Sequence, residues 1–277
     1  MIYNYHVINK ISNGSFGVVW KAIHNDSIND EEVAIKIERR KDKKPQLKNE
    51  LKILKHLQNL SVVPKLVYFG ETTSYNYIVM ELLGNTLDTY CRSNDIMCSN
   101  SNDRWSFVRL GISMLNCIQS MHERGIIHRD IKPDNFLFSL DKSKLCIVDF
   151  GLSISYLDVN KCHIPASVND NIIGSIDYIS YYIHEGVSAS RRDDLISMIY
   201  VLIYTMKKQL PWQLSVYNSL EERSRKIYEH KYSIPPNILC HGLPDILITI
   251  LLYCYNLSYL DVPDYDYISF LFETYKM

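Results

Sequence analysis

Apolar and polar residues alternate over residues 3–36, in the runs HVINKI, VVWKAI and EVAIKIE. A period of two marks strands with one buried face, and a glycine-bearing turn joins the first two runs, so an antiparallel sheet is predicted. Over residues 45–60 the period changes. Leu47, Leu51, Leu54 and Leu57 recur every three or four positions, on one side of a helix. The strand-like runs KLVYFG and YNYIVMELL complete a small sheet region ending near Gly84. Beyond it, helical spacing takes over at residues 104–124, 195–206, 221–230 and 244–255. The expected organisation is α+β: one domain over 1–277, with a β-rich lobe at about 1–84 and a larger, mostly helical lobe at about 85–277.

Composition narrows the picture. The 277 residues, 47% hydrophobic and 22% charged, belong to the globular class and suit one large two-lobed unit. Thirty basic against 31 acidic residues leave a formal charge of −1, too little to grip a polyanion, so no nucleic-acid partner is expected. The longest apolar runs, at 195–206 and 246–257, fall short of the roughly 20 residues that span a bilayer, so no membrane partner is expected either. The start MIYNYHVINK resembles neither a signal nor a transit peptide, and a cytoplasmic or nuclear monomer is the expectation. Seven cysteines without a CxxC pair read as reduced, mostly buried thiols. RSNDIMCSNSND, at 92–103, reads as a surface loop. ERRKDKK, at 38–44, reads as a solvated loop or as a docking or nuclear-import segment.

Chemistry concentrates in a few places. SNGSFGVV, residues 12–19, lies between two strands, and its Gly14 and Gly17 suit either a strand turn or a backbone folded over phosphates. Nineteen residues after Gly17, VAIK puts Lys36 inside an apolar strand. A buried ammonium there requires an anionic partner, for which Glu50 is the candidate, unless the side chain snorkels to the surface. HRDIKPDN, residues 128–135, packs acids, bases and an amide around a proline, and IVDFG sets Asp149 after an apolar strand.

In this order the motifs resemble the protein-kinase signature, and HRDIKPDNFL, VMELLG and SRRDDLISMIYVLIY followed by LPWQ resemble the casein kinase 1 family. The likeness covers essentially the whole chain and implies a bilobal protein-kinase-like fold. It also implies a serine/threonine kinase that uses ATP and Mg²⁺ on protein substrates. Lys36, paired with Glu50, would hold the α- and β-phosphates, under a loop of Ser12, Asn13, Gly14, Ser15, Phe16, Gly17 and Val18. Asn135 and Asp149 would hold Mg²⁺, Asp130 would be the base, and Lys132 would stabilise the transferring phosphate. The adenine would meet Ile11, Val19, Ala34, Met80, Leu137, Val148 and the backbone from Glu81 to Leu83. Taken singly, each of these apolar residues also suits an ordinary core.

The sequence departs from the pattern in places. Ser12 replaces the first loop glycine, from which weaker ATP binding at most is expected, and GSIDYIS stands where APE is usual. The departures that matter most concern substrate choice. Asp170, Ile154 and Asp177 stand near where basic residues are expected, and Leu214 where glycine is common, so preference for phosphoprimed sites is expected to be weakened even with Arg223 and Arg129 present. The rival reading is a pseudokinase serving as a nucleotide-binding or scaffold module.

Overall fold

A computed structural model describes residues 4–14, 17–26, 31–40, 45–93, 106–168, 172–213, 217 and 219–275. Ser15, Phe16, Cys98, Asp170 and Leu214 lie outside the described residues, as does most of both polar stretches singled out above. The chain divides into two compact units, Met1–Asn85 with Leu137–Ser153, and Thr86–Phe136 with Ile154–Met277. A single break near residue 84 leaves out the return of the segment that carries Asp149 to the first unit.

In the first unit, β1 (Tyr5–Gly14), β2 (Gly17–His24), β3 (Glu32–Arg39), β4 (Leu66–Glu71) and β5 (Tyr75–Glu81) form an antiparallel sheet in the order β1-β2-β3-β5-β4. Alternation sends Tyr5, Ala22, Val33, Ile35, Tyr77 and Val79 into one core cluster. The next residues along β3, Ala34, Lys36 and Glu38, point to the other face, where α1 (Leu47–Leu57) carries the charge that answers Lys36. Leu47, Leu51, Leu54 and Leu57 are all buried, each worth roughly 1.5–3 kcal/mol of transfer free energy, and α1 contacts β4 and β5. At the end of α1, Gln58 Nε2 donates to the carbonyls of Leu54 and Pro64, and its Oε1 accepts from Leu66 N at 2.7 Å, which ties the helix to β4. Two short strands, Phe136–Phe138 and Leu145–Ile147, pair with each other, and Gly84 N donates to Phe138 O at 2.7 Å.

The second unit holds α2 (Leu87–Ser93), α3 (Phe107–Glu123), α4 (Tyr181–His184), α5 (Arg191–Lys207), α6 (Leu220–Ser233), α7 (Pro236–Leu239), α8 (Ile246–Asn256) and α9 (Tyr265–Thr274). Helix α5 is buried on every side along most of its length and sits at the centre of this unit, with Leu195, Ile199 and Leu202 fully buried and α3 and α8 packed against it. Its SRRDD start is an anchor. Arg191 donates to Leu260 O at 2.9 Å, and Arg192 donates to Leu257 O at 3.1 Å with its guanidinium 3.5 Å from the centre of the Tyr182 ring. Of the described cysteines, Cys91, Cys117, Cys146, Cys240 and Cys254 are buried and Cys162 is exposed, and none forms a disulfide. Among the described residues no helix is long and apolar enough to cross a membrane.

Candidate functional site

Residues directly opposite each other in an antiparallel pair share a face. Val19 stands opposite Lys36, Ser12 opposite Val19, and Ala34 opposite Met80, so the sheet gathers these predicted positions on the side that carries Lys36. Ala34, Met80 and Leu83 are buried, Val18, Val19, Glu81, Leu137 and Val148 half-buried, and Ile11, Ser12 and Asn13 exposed, all within the first unit. Gly14 pairs with Gly17 at the hairpin tip. Gly17 has φ +135°, and a Cβ there would lie 2.5 Å from Ile37 O, so close approach to β3 already requires this glycine.

Lys36 does not snorkel. It is 7% exposed, and its Nζ donates to Glu50 Oε2 at 2.6 Å and to Asp149 Oδ1 at 2.8 Å. Burial alone would lower its pKa, but the carboxylates of Glu50 and Asp149 outweigh it and hold the ammonium above its ordinary value. Glu50 is pulled both ways: burial, with Asp149 and Glu38 nearby, pushes it up to about 7, against the pull of Lys36. The short contact to an ammonium that keeps its proton favours the charged pair. Glu38, read in the sequence as part of a basic run, is buried, and its Oε1 accepts from Gln46 N and Leu47 N at the start of α1. Asp149 takes a left-handed backbone, φ +68°, a conformation that costs roughly 1 kcal/mol and persists only where neighbours hold it.

The second unit builds a different centre around Asp130, which is 3% exposed. Oδ2 accepts from Lys132 Nζ at 2.7 Å and Asn135 Nδ2 at 3.1 Å, while Oδ1 accepts from Ser175 Oγ at 2.7 Å and Ser175 N at 2.9 Å. Asp194, from the first turn of α5, holds the backbone that precedes Asp130. Its oxygens accept from His128 N at 2.7 Å, Arg129 N at 2.9 Å and His122 Nε2 at 3.0 Å. Because Nε2 donates to a carboxylate, a neutral His122 accepts from Tyr265 O–H at Nδ1, 2.7 Å away. Burial would raise the pKa of Asp194, but these donors prevail and lower it. Gly174 has φ +110°, and a Cβ there would lie 2.4 Å from Arg129 O, so only glycine lets Ser175 come this close to Asp130.

The stretch after Ser175 is clamped from α6 and the LPWQ turn. Arg223 Nη2 donates to both oxygens of Asp177 at 2.9 Å, and Trp212 Nε1 donates to Asp177 O at 2.8 Å. Buried Lys231 donates to Ile176 O at 2.6 Å and Ile179 O at 2.7 Å, and lies 3.2 Å from His184 Nε2. Burial, reinforced by Lys231, pushes His184 down to about 3, so this ring is neutral and its Nε2 is the acceptor.

Among the described residues no three His, Cys, Asp or Glu side chains cluster as a metal cage. Each unit offers a hard oxygen donor of its own. In the first, Asp149 presents a carboxylate that is 22% exposed, a donor type that fits Mg²⁺, which takes one or two protein ligands and completes its shell with water and phosphate. In the second, Asn135 commits its amide nitrogen to Asp130, which leaves Oδ1 as its ligating atom. The predicted catalytic residues thus form two sets, Lys36, Glu50 and Asp149 in the first unit and Asp130, Lys132 and Asn135 in the second. Sequence reasoning gave no role to Ser175, Glu38, Asn49 or Lys231. The only signal was Gly174 beside Ser175, since the other three act through backbone groups. The family model for the protein kinase domain matches residues 5–252, and the chain therefore belongs to the protein kinase family.

Proposed function

We propose that this chain is a serine/threonine protein kinase that transfers the γ-phosphoryl group of ATP to protein hydroxyls, similar to casein kinase 1 enzymes. The observation that carries the reading is the buried ammonium of Lys36 between the carboxylates of Glu50 and Asp149. A structural core gains little from such a set, because desolvating charges costs about as much as pairing them returns. A site that must meet phosphate gains a fixed cation.

In this reading Lys36 neutralises phosphate charge and Glu50 keeps its ammonium in place. Asp149 and Asn135 would hold Mg²⁺, which when bound neutralises charge on the phosphate oxygens. Asp130 orients the acceptor hydroxyl and takes its proton, Ser175 and Asn135 fix the rotamer of that carboxylate, and Lys132 steadies the charge that develops beside it. Lys132 two residues after Asp130 is the serine/threonine form of this loop. Weak preference for primed sites is supported by the commitment of Arg223 to Asp177, which leaves that guanidinium partly neutralised.

The test is transfer from radiolabelled ATP with Mg²⁺ to casein and to acidic, phosphoprimed and basic peptides. Transfer to Ser or Thr with similar rates on primed and unprimed peptides is the expected result. ATP binding without transfer to any acceptor would replace this reading with the pseudokinase one.

A further inference from the structure

We propose that Asn49 is a positioning residue for Asp149, holding the loop that follows Asp149 against α1; its link to catalysis rests on the kinase reading above. Asn49 precedes Glu50 on α1, and its carboxamide Nδ2 donates to Ser153 O at 3.0 Å, Gly151 O at 3.1 Å and Phe150 O at 3.5 Å. Two amide protons are thus shared among three carbonyls of one turn, a turn closed by Ser153 N donating to Phe150 O at 3.1 Å. The loop lies tight on the helix. A Cβ on Gly151 would stand 2.7 Å from Gln46 Oε1.

The clamp has a rigid base. Lys36 and Glu38 leave β3 on the same face, and Glu38 accepts the first amides of α1 while Lys36 meets Glu50 one turn later. Helix α1 is therefore fixed to β3 at two points, and Asn49 lies between them. Asp149 in turn is held from two directions, through Oδ1 by Lys36 and through the following turn by Asn49. Both contacts act on a residue with a left-handed backbone, a conformation that persists where its surroundings hold it. The apolar side of α1, Leu47, Leu51, Leu54 and Leu57, does not involve Asn49, so losing the carboxamide leaves the packing of the helix intact.

The experiment compares the whole wild-type chain of 277 residues with Asn49→Ala and the isosteric Asn49→Asp, which exchanges the donor for an oxygen that repels carbonyls. Amide hydrogen exchange without ligand, the Mg²⁺ requirement of phosphoryl transfer, the KM for peptide and the thermal midpoint are measured together. Both variants are expected to exchange roughly tenfold faster at residues 150–153 with α3 and α5 unchanged. The Mg²⁺ concentration for half-maximal transfer should rise roughly fivefold or more at unaltered peptide KM, with Asn49→Asp the worse of the two. Unchanged exchange at 150–153, or faster exchange everywhere with a fallen thermal midpoint, would overturn the proposal. If the wild type transfers no phosphoryl group the kinase reading fails by itself, and the exchange arm still decides whether Asn49 holds the loop.

Discussion

In the first unit, the carboxylates of Glu50 and Asp149 both accept from one ammonium, that of Lys36. In the second, Asp194 is ringed by backbone amides and a histidine, and Asp130 by a serine, an amide and one lysine. The difference teaches what each carboxylate is suited to. A hydrogen-bonded carboxylate surrounded by fixed donors is pinned in place, as a scaffold or an oriented base must be. Two carboxylates that share one ammonium suit the role proposed above, in which the lysine meets phosphate and Asp149 a divalent ion.

The contrast can be broken first at Asp194. Replacing it with Ala strands the amides of His128 and Arg129 and the His122 ring, and should destabilise the protein by roughly 3–5 kcal/mol in denaturant unfolding. A loss below about 1 kcal/mol would mean that water or relaxation satisfies those donors as well as the carboxylate does. Lys36→Met should cost roughly 10²–10³ in transfer rate. It should destabilise less than Asp194→Ala, because burial already pushes Glu50 up to about 7 and the carboxyl can take a proton when its cation is removed.

Acid sharpens the comparison. The folded pKa of Asp194 lies below its unfolded value, so its contribution is complete above the unfolded value, roughly 3.9. As pH falls from there through the lowered folded value, the unfolded chain takes up the proton first and stability declines. Asp194→Asn should flatten this part of the stability curve, and an unchanged slope would assign acid sensitivity to other groups. The smallest effect is expected at the half-exposed pair of Asp177 and Arg223. Asp177→Ala should raise the primed-to-unprimed ratio of kcat/KM by roughly twofold to fivefold, the scale of a pair worth under about 1 kcal/mol. A ratio that stays constant would remove Arg223 from substrate choice.

Much of the fold was legible because periodicity reports burial. The five sheet strands and the four leucines of α1 follow directly from it, and the apolar run of α5 reads as a buried helix. Helix α2 was missed because its seven residues lead into a polar stretch. The positions proposed for catalysis were legible through motif order, and the pairing of Lys36 with Glu50 followed from the cost of a buried ammonium. Asn49, Glu38 and Lys231 were not legible. Each acts on backbone amides or carbonyls, groups that every residue has and no sequence pattern marks. Likewise the neutralisation of Arg223 by Asp177 joins residues 46 apart, a pairing that only the fold creates.

The most direct test of the central claim, that Asp130 is an oriented base and Lys36 with Asp149 a nucleotide site, measures ATP binding and single-turnover transfer on the same samples of wild type and Asp130→Asn. The account predicts equal binding and transfer slower by about 10²–10⁴-fold in the variant. Wild type that binds ATP and transfers nothing, or a variant that transfers as fast as wild type, would contradict it.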